Sequence, residues 1–389
     1  MVDTSYNKLL LKLYNDVNKY AKKWKNQQTA QDIVFKPFSN AELELVPNIR
    51  YYDDIILEKI KSYNKDIFTY SFQTAKRNIQ IHFITTTDND KDPLQIKHSL
   101  KNIYIWLHMI EEFTDIQCSQ KLNIYLFQTP LFKLMPEYVG DVISTQHANS
   151  AFTFSCSTAN NIHIFRKEEW FKVFIHECFH NLGLDFSKID NGFSDKHISG
   201  LFPLQIDFRL YESYCESWAL LINSVFCCYN RNPTQNSSNV LENIYSVIHQ
   251  EREFSLFQCS KILHHFGISY PDLYSINEGA SFARLNKYKE DTPILSYFVI
   301  KTIIVLHYPE FIQWCISNNE NPFKFMTKED KKTYDKIISF VEFIKTIYQS
   351  NIVVNSMKTA ETNYTELRKK QNLNDIYNIV NLRMSKNDL

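Results

Sequence analysis

The chain has 389 residues, of which 44% are apolar and 22% charged, a composition typical of a globular protein with a large core. Its 43 basic and 43 acidic residues balance, so the formal net charge is zero. This balance argues against a general nucleic-acid binder and against a protein that binds membrane surfaces through its charge. The length predicts two or three domains, or one domain with a long elaboration.

Neither a secretion signal nor a membrane-spanning helix is predicted. The first residues, MVDTSYNKLLLKLYNDVNKYAKKW, carry charges every few positions and lack the apolar core of a signal peptide. The most apolar run, ILSYFVIKTIIVLHY, is interrupted by Lys301 and is too short to cross a bilayer, so it predicts a buried helix. The eight cysteines form no C-x-x-C pair, which favours reduced thiols over disulfides. We therefore expect a cytoplasmic protein without membrane insertion.

Residues 1–76 are predicted to form a helical extension, with one amphipathic helix followed by an irregular stretch. From residue 77 the pattern changes, because RNIQIHFITTT and KLNIYLFQ alternate apolar and polar residues as half-buried strands do. A helix that begins near Pro93 separates them, and SAFTFSC and NNIHIFR predict two more short strands. A further helix follows, so residues 77–186 are predicted to form a mixed β-sheet subdomain with an active-site helix.

The strand patterns largely stop after this helix. Residues 187–350 are predicted to form a mainly helical lower subdomain, and residues 351–389, rich in Asn and Lys, a C-terminal tail. The predicted fold class is therefore α+β.

His176, Glu177 and His180 form the pattern H-E-x-x-H on the predicted helix. Four residues turn an α-helix by about 400°, so both imidazoles leave one face and can bind one ion, with Glu177 beside the vacant coordination position. This spacing suits zinc. The opposite face carries an apolar stripe, which predicts that the helix packs inward and places its histidines at the edge of a cleft. The alternative is an exposed helix on which both histidines are ordinary polar residues.

A third metal ligand is expected farther along the chain. Phe186 stands where the longer pattern H-E-x-x-H-x-x-G-x-x-H requires a histidine, so that pattern is disfavoured. Glu212 and Glu216 lie one turn apart in the apolar segment YESYCESWALLINSVFCCY, where a carboxylate is costly unless it is paired or binds a metal. Pairing with a base such as Arg209 is the alternative. Asp185 is a weaker candidate, as a ligand or as a residue that supports one.

These features resemble the zincin superfamily, specifically its gluzincin branch, in which a glutamate on a later helix follows H-E-x-x-H. The order of predicted elements agrees over roughly residues 77 to 230. The sequence ESWA resembles the surroundings of the gluzincin ligand glutamate, which favours Glu216 as the third ligand. Glu212 would then orient a ligand, or would itself be the ligand. FRKEEWFKVFIHECFHNLGLDF and YESYCESWALLIN are also loosely similar to uncharacterised putative metallopeptidases of large DNA viruses, which would place the protein in the host cytoplasm or the virion.

The resemblance implies a zinc-dependent metallopeptidase. His176, His180 and Glu216 would hold Zn²⁺, and Glu177 would act as the general base toward a water. A polypeptide substrate would pair with the edge strand predicted at residues 150–156.

Gluzincins often stabilise the oxyanion with a Tyr, His or Arg of the lower subdomain, so the resemblance also implies such a residue here. Tyr211 is the first choice, because it lies near the predicted ligand helix, and the alternatives are Tyr214, Arg209 and His197. The other function considered is a catalytically silent binding or structural protein, such as a virion or assembly component. The sequence predicts neither the cleavage specificity nor the oligomeric state.

Overall fold

The fold was obtained as a computed structural model, which describes residues 4–27, 33–233, 237–325, 328–370 and 376–389. In these ranges a six-stranded mixed sheet is combined with fifteen α-helices, so the predicted α+β class is confirmed. The strands are β1 (Lys36–Pro37), β2 (Asp66–Gln73), β3 (Asn78–Thr85), β4 (Lys121–Gln128), β5 (Ala151–Thr153) and β6 (Ala159–Ile164).

The strands are arranged in the order β1-β2-β3-β4-β6-β5. The central strands β3, β4 and β6 run parallel, whereas β1, β2 and β5 are each antiparallel to a neighbour. Four of these strands were predicted, and β5 lies at the predicted sheet edge, although it is shorter than expected. Strand β2 was not predicted. It pairs with β3 from Asp66↔Thr85 to Gln73↔Asn78, so the expected boundary at residue 76 divides a hairpin.

Helices occur throughout the described ranges, between and after the strands. They are α1 (Ser5–Gln27), α2 (Asn40–Glu44), α3 (Asp54–Ser62), α4 (Pro93–Ile110), α5 (Thr145–Ala148), α6 (Trp170–Asn181), α7 (Asn191–Ile198), α8 (Leu210–Arg231), α9 (Ser237–His265), α10 (Glu278–Asn286), α11 (Lys301–Leu306), α12 (Tyr308–Asn318), α13 (Lys331–Ile347), α14 (Asn351–Lys370) and α15 (Ile376–Val380). A π-helical turn, Leu295–Ile300, leads directly into α11.

The sheet separates two apolar cores, because successive side chains of a strand point to opposite faces. In β4, Leu122, Ile124 and Leu126 join the large core with α4, α6 and the later helices, and Tyr125 and Phe127 join a smaller core. The apolar run that contains Lys301 is buried inside the large core, as predicted.

The prediction of reduced thiols is wrong at two positions, because Cys118 and Cys156 form a disulfide. The other six cysteines are buried and free. The sequence contains no motif that predicts this bond. Its two cysteines stand 38 positions apart, in loops that come together only when the sheet has folded. The cysteines therefore no longer support a cytoplasmic location.

Replacing Cys118 and Cys156 together with serine should lower the free energy of unfolding by roughly 2–4 kcal/mol, because the unfolded chain loses a cross-link. Guanidinium denaturation of the parent and of the double variant under oxidising conditions measures the difference. In reductant the two proteins should unfold at the same denaturant concentration. A parent that is equally stable with and without reductant would contradict the expectation.

The predicted C-terminal tail is instead part of the core. Helix α14 packs along α9, and beyond α15 Leu382 is fully buried and Met384 is 3% exposed. Beyond α15 the chain shows no helical or strand period, because the amides of residues 383–387 bond to side chains and not to a helical turn or a neighbouring strand. Its burial was therefore not visible in the sequence pattern.

Among the described residues, no single helix has the length and apolar content required to cross a membrane. The pairs Leu295–Leu306 with Tyr308–Asn318 and Lys331–Ile347 with Asn351–Lys370 meet that requirement only when both helices are counted, and they bend by 92° and 65°.

Candidate metal centre

Helix α6 carries the H-E-x-x-H residues and ends where the sequence indicated. Gly183 adopts a left-handed backbone conformation with φ +68°. Its amide donates to the carbonyl of His180 at 3.1 Å and the amide of Leu184 to that of Phe179 at 2.8 Å, the two bonds of a Schellman motif. A Cβ at position 183 would also lie 3.2 Å from the Cβ of Cys156, so both the backbone conformation and the limited space favour glycine. The turn brings Asp185 back beside His180.

All residues of α6 are buried, including its ligand face. His176, Glu177 and His180 are 5%, 7% and 9% exposed, because α8 packs against this face. The apolar stripe packs inward as predicted, but the expected position of the histidines at an open cleft edge is not seen.

Three ligand-type atoms converge between α6 and α8. The Nε2 atoms of His176 and His180 are 3.0 Å apart, and Oε2 of Glu212 lies 3.0 Å from the first and 3.3 Å from the second. This oxygen is buried and makes no hydrogen bond of acceptable geometry to the described chain, despite those short distances. Glu212 therefore meets the two imidazoles in the manner of an ion-pair partner or of a shared metal ligand.

The dimensions of this group fit a tetrahedral metal ion. Zinc binds nitrogen and oxygen at about 2.0–2.1 Å, which places tetrahedral ligands about 3.3–3.4 Å apart. The observed separations of 3.0–3.3 Å require only a small outward movement. His176, His180 and Glu212 could thus hold a metal ion, and the distances alone do not select its identity.

Glu212, and not Glu216, lies next to the Nε2 atoms of both histidines. Glu216, the expected ligand, places Oε1 2.9 Å from Nδ1 of His176, on the side of the ring away from the converging atoms. Its Oε2 lies 2.5 Å from Nζ of Lys172, a lysine whose side chain is only 1% exposed. The preference for Glu216 is therefore revised in favour of Glu212, the alternative that the sequence left open.

Asp185 occupies the supporting position considered for it. Its Oδ2 lies 2.5 Å from Nδ1 of His180 and so fixes the orientation of that ring. The thiol of Cys215 lies 3.6 Å from the same oxygen. Burial raises the pKa of Cys215 well above its usual value, so this group is a neutral thiol.

Electrostatics keeps both carboxylates of α8 ionised. Burial raises the pKa of Glu212, but the charge of His180 and the contacts with both imidazoles outweigh burial and bring it to about 2. Burial lowers the pKa of His176, whereas the charge of Glu216 and the contacts with both carboxylates raise it to about 9. Since a histidine must lose its proton to bind a metal, protons and metal compete for this site.

Glu177 lies close enough to the two histidines and to Glu212 and Glu216 for their charges to shift its pKa. Its carboxylate forms no hydrogen bond or ion pair with any side chain of the described ranges, although it is 7% exposed. Burial raises the pKa of Glu177, and the charges of Glu212 and Glu216 add to the effect against the opposing histidines. A raised carboxyl pKa brings a general base closer to neutral pH.

The rings of two tyrosines contact those of His176 and His180. The ring of Tyr211 meets that of His180 edge-on, with 5.7 Å between centroids, and the ring of Tyr297 meets that of His176 at 6.2 Å. Burial raises the pKa of both phenols, so each remains a hydrogen-bond donor at neutral pH. Tyr297 lies in the π-helical turn and was not predicted, because the sequence carries no signal for such a turn.

The other candidates for the oxyanion lie elsewhere. Tyr214 is fully buried and donates to the carbonyl of Phe323 at 3.0 Å, so it is a core residue. His197 bonds through Nδ1 to the carbonyl of Phe193 at 2.8 Å on its own helix. Arg209 is exposed at the start of α8 and pairs with Asp207 at 2.7 Å, not with either glutamate.

Lys172 is the other functional candidate that the sequence analysis missed. A signal was present, because positions 172, 176 and 180 step by four along one helix face. A lysine on the ligand face of an otherwise apolar helix indicates a buried partner, which is Glu216.

Comparison of the chain with protein-family models, with curated proteins and with solved structures finds no match. The zincin resemblance therefore remains a prediction that rests on the motif and on the order of elements.

Proposed function

We propose that the protein is a zinc-dependent metallopeptidase, with His176, His180 and Glu212 as the metal ligands. The observation that carries the proposal is the convergence of three ligand atoms on one point. It is supported by Glu177, which interacts electrostatically with the same residues and has no hydrogen-bond or ion-pair partner among the described side chains. A purely structural zinc site has four protein ligands and no need of an adjacent base. Here three ligands leave one position open.

Zinc, when bound, supplies Lewis acidity that polarises a peptide carbonyl and acidifies a water. Glu177 would accept the proton of that water and later transfer it to the leaving amine. The phenol of Tyr211 or of Tyr297 would donate a hydrogen bond to the oxygen that becomes negative. Asp185 and Glu216 would hold the two imidazoles in the orientation that presents Nε2.

The substrate is proposed to be a polypeptide that pairs with β5. An edge strand leaves alternate amides and carbonyls unpaired, and these can bind an extended peptide. Strand β5 adjoins the end of α6, since Asn181 donates to Oγ1 of Thr153 at 2.8 Å and the amide of Cys156 to the carbonyl of His180 at 3.3 Å. A peptide along this edge would therefore lie near the histidines.

One observation favours the second candidate, a zincin-like binding or structural protein without turnover. The proposed ligands and base are at most 9% exposed, so a peptide must displace side chains before it reaches them. Tyr211 and Tyr297, which are half-buried, are the side chains that would move.

Purified protein should contain about one zinc per chain by elemental analysis, and it should cleave members of a mixed peptide library. Removing the metal with a chelator should abolish cleavage, because the open coordination position loses its Lewis acid, and added Zn²⁺ should restore it. Zinc far below one equivalent would disprove the metal site. Stoichiometric zinc without cleavage would favour the structural protein.

A further inference from the structure

Residues 381–388, the C-terminal segment, lie among charged side chains of the helices that carry the proposed ligands. Leu382 is fully buried, and Ser385 has no exposed surface. The amide of Leu382 donates to the carbonyl of Lys133 at 2.9 Å and that of Arg383 to Oδ1 of Asn381 at 2.7 Å, but the amides of residues 384–387 bind carboxylates. The segment is thus held by side chains, as a bound peptide is held in a groove.

Glu169 binds the segment at the start of α6. Its carboxylate accepts hydrogen bonds from the amides of Met384 at 2.9 and 3.0 Å and of Ser385 at 3.0 Å. Glu169 is 1% exposed and immediately precedes the helix, in a left-handed conformation with φ 56°. The segment therefore holds the residue from which the metal-ligating helix begins.

Glu251 on α9 binds the next residues of the segment. Its carboxylate, which is fully buried, accepts from the hydroxyl of Ser385 at 3.0 Å and from the amides of Lys386 and Asn387 at 2.9 Å each. Helix α8 contributes Asn223, whose side-chain amide donates to the carbonyl of Asn387 at 3.2 Å. The segment thus contacts α6, α8 and α9 at once, and α6 and α8 supply all three proposed ligands.

Lys172 connects the segment to the metal centre. Its Nζ lies 3.8 Å from Sδ of Met384 and 2.5 Å from Oε2 of Glu216. The other oxygen of Glu216 lies 2.9 Å from Nδ1 of His176, a proposed ligand. An unbroken series of contacts therefore runs from the segment to the metal site.

We propose that docking of the C-terminal segment and binding of the metal are coupled through Glu169, Lys172 and Glu216. Lys172 is then a positioning residue, since it acts on the metal only through Glu216 and His176. The inference rests on the metal centre proposed above. Coupling of two equilibria is reciprocal, so a weaker dock lowers metal affinity and bound metal strengthens the dock by the same factor.

The test measures zinc affinity by chelator competition and hydrogen exchange of the amides of residues 384–387, which bind the two glutamates. Glu251→Gln should undock the segment, so that these amides lose their protection from exchange and zinc binds about tenfold more weakly, within the range of outer-sphere effects. In the parent, saturating Zn²⁺ should slow the same amides by the same factor. In the double variant Lys172→Met with Glu216→Gln, which replaces the pair with neutral groups, zinc should leave their exchange nearly unchanged.

Lys386→Ala is the matched control, because the exposed side chain is removed while its amide still binds Glu251. If Glu251→Gln does not fold, Ser385→Ala, which removes only one donor to Glu251, replaces it. Equal zinc affinity in the parent and in a variant whose segment amides have lost their protection would overturn the coupling alone. Unchanged zinc protection in the double variant would overturn the route through Lys172. A parent that binds no zinc would disprove the metal centre itself.

Discussion

Glu177→Gln should reduce peptide hydrolysis by about two to four orders of magnitude while zinc remains bound at the parent stoichiometry. General acid–base catalysis typically contributes this factor, and an amide cannot take a proton from water at neutral pH. Glutamine keeps the size of the side chain, and Glu177 has no partner among the described side chains to lose. Folding and metal content should therefore be unaffected.

The measurement compares the rate of cleavage of one library-derived peptide by the zinc-loaded parent and variant. Glu278→Gln, an exposed glutamate at the start of α10, makes the same chemical change away from the proposed ligands and should cleave at the parental rate. If the parent and the Glu177→Gln variant both bind zinc and cleave the peptide equally fast, Glu177 is not the general base.

Glu212→Gln should weaken zinc binding more than Glu216→Gln does. The first change removes a charged ligand from the group with the two Nε2 atoms, whereas the second removes only the carboxylate that orients His176. Loss of an orienting carboxylate costs about 10- to 100-fold in metal affinity, and loss of a ligand should cost more. Chelator competition at fixed pH measures both affinities.

Glu216→Gln leaves the buried Lys172 without its partner, so this comparison needs a control. Breaking a buried ion pair lowers the free energy of unfolding by about 3–5 kcal/mol. The double variant Lys172→Met with Glu216→Gln removes that charge, and its zinc affinity isolates the effect on His176. Weaker binding by Glu216→Gln than by Glu212→Gln, in the double variant as well, would restore Glu216 as the ligand.

The helix with H-E-x-x-H and the parallel strands were predictable, because a helical or strand period determines each of them locally. Gly183 could be recognised as the helix stop for the same reason. The choice between Glu212 and Glu216 was not predictable, since they share one face of α8 and only the packing of α8 on α6 decides which meets Nε2. Tyr297 depends on a π-helical turn, and the C-terminal segment depends on contacts with residues more than a hundred positions away, so neither has a local pattern.

The division of the proposed ligands between α6 and α8 has a consequence for biosynthesis. His180 leaves the ribosome 32 residues before Glu212, as the difference of their numbers gives. A nascent chain at that stage would present two imidazoles without the carboxylate, a partial site that several divalent transition-metal ions could enter and leave. Binding of a metal by all three proposed ligands would therefore require that α8 first fold onto α6.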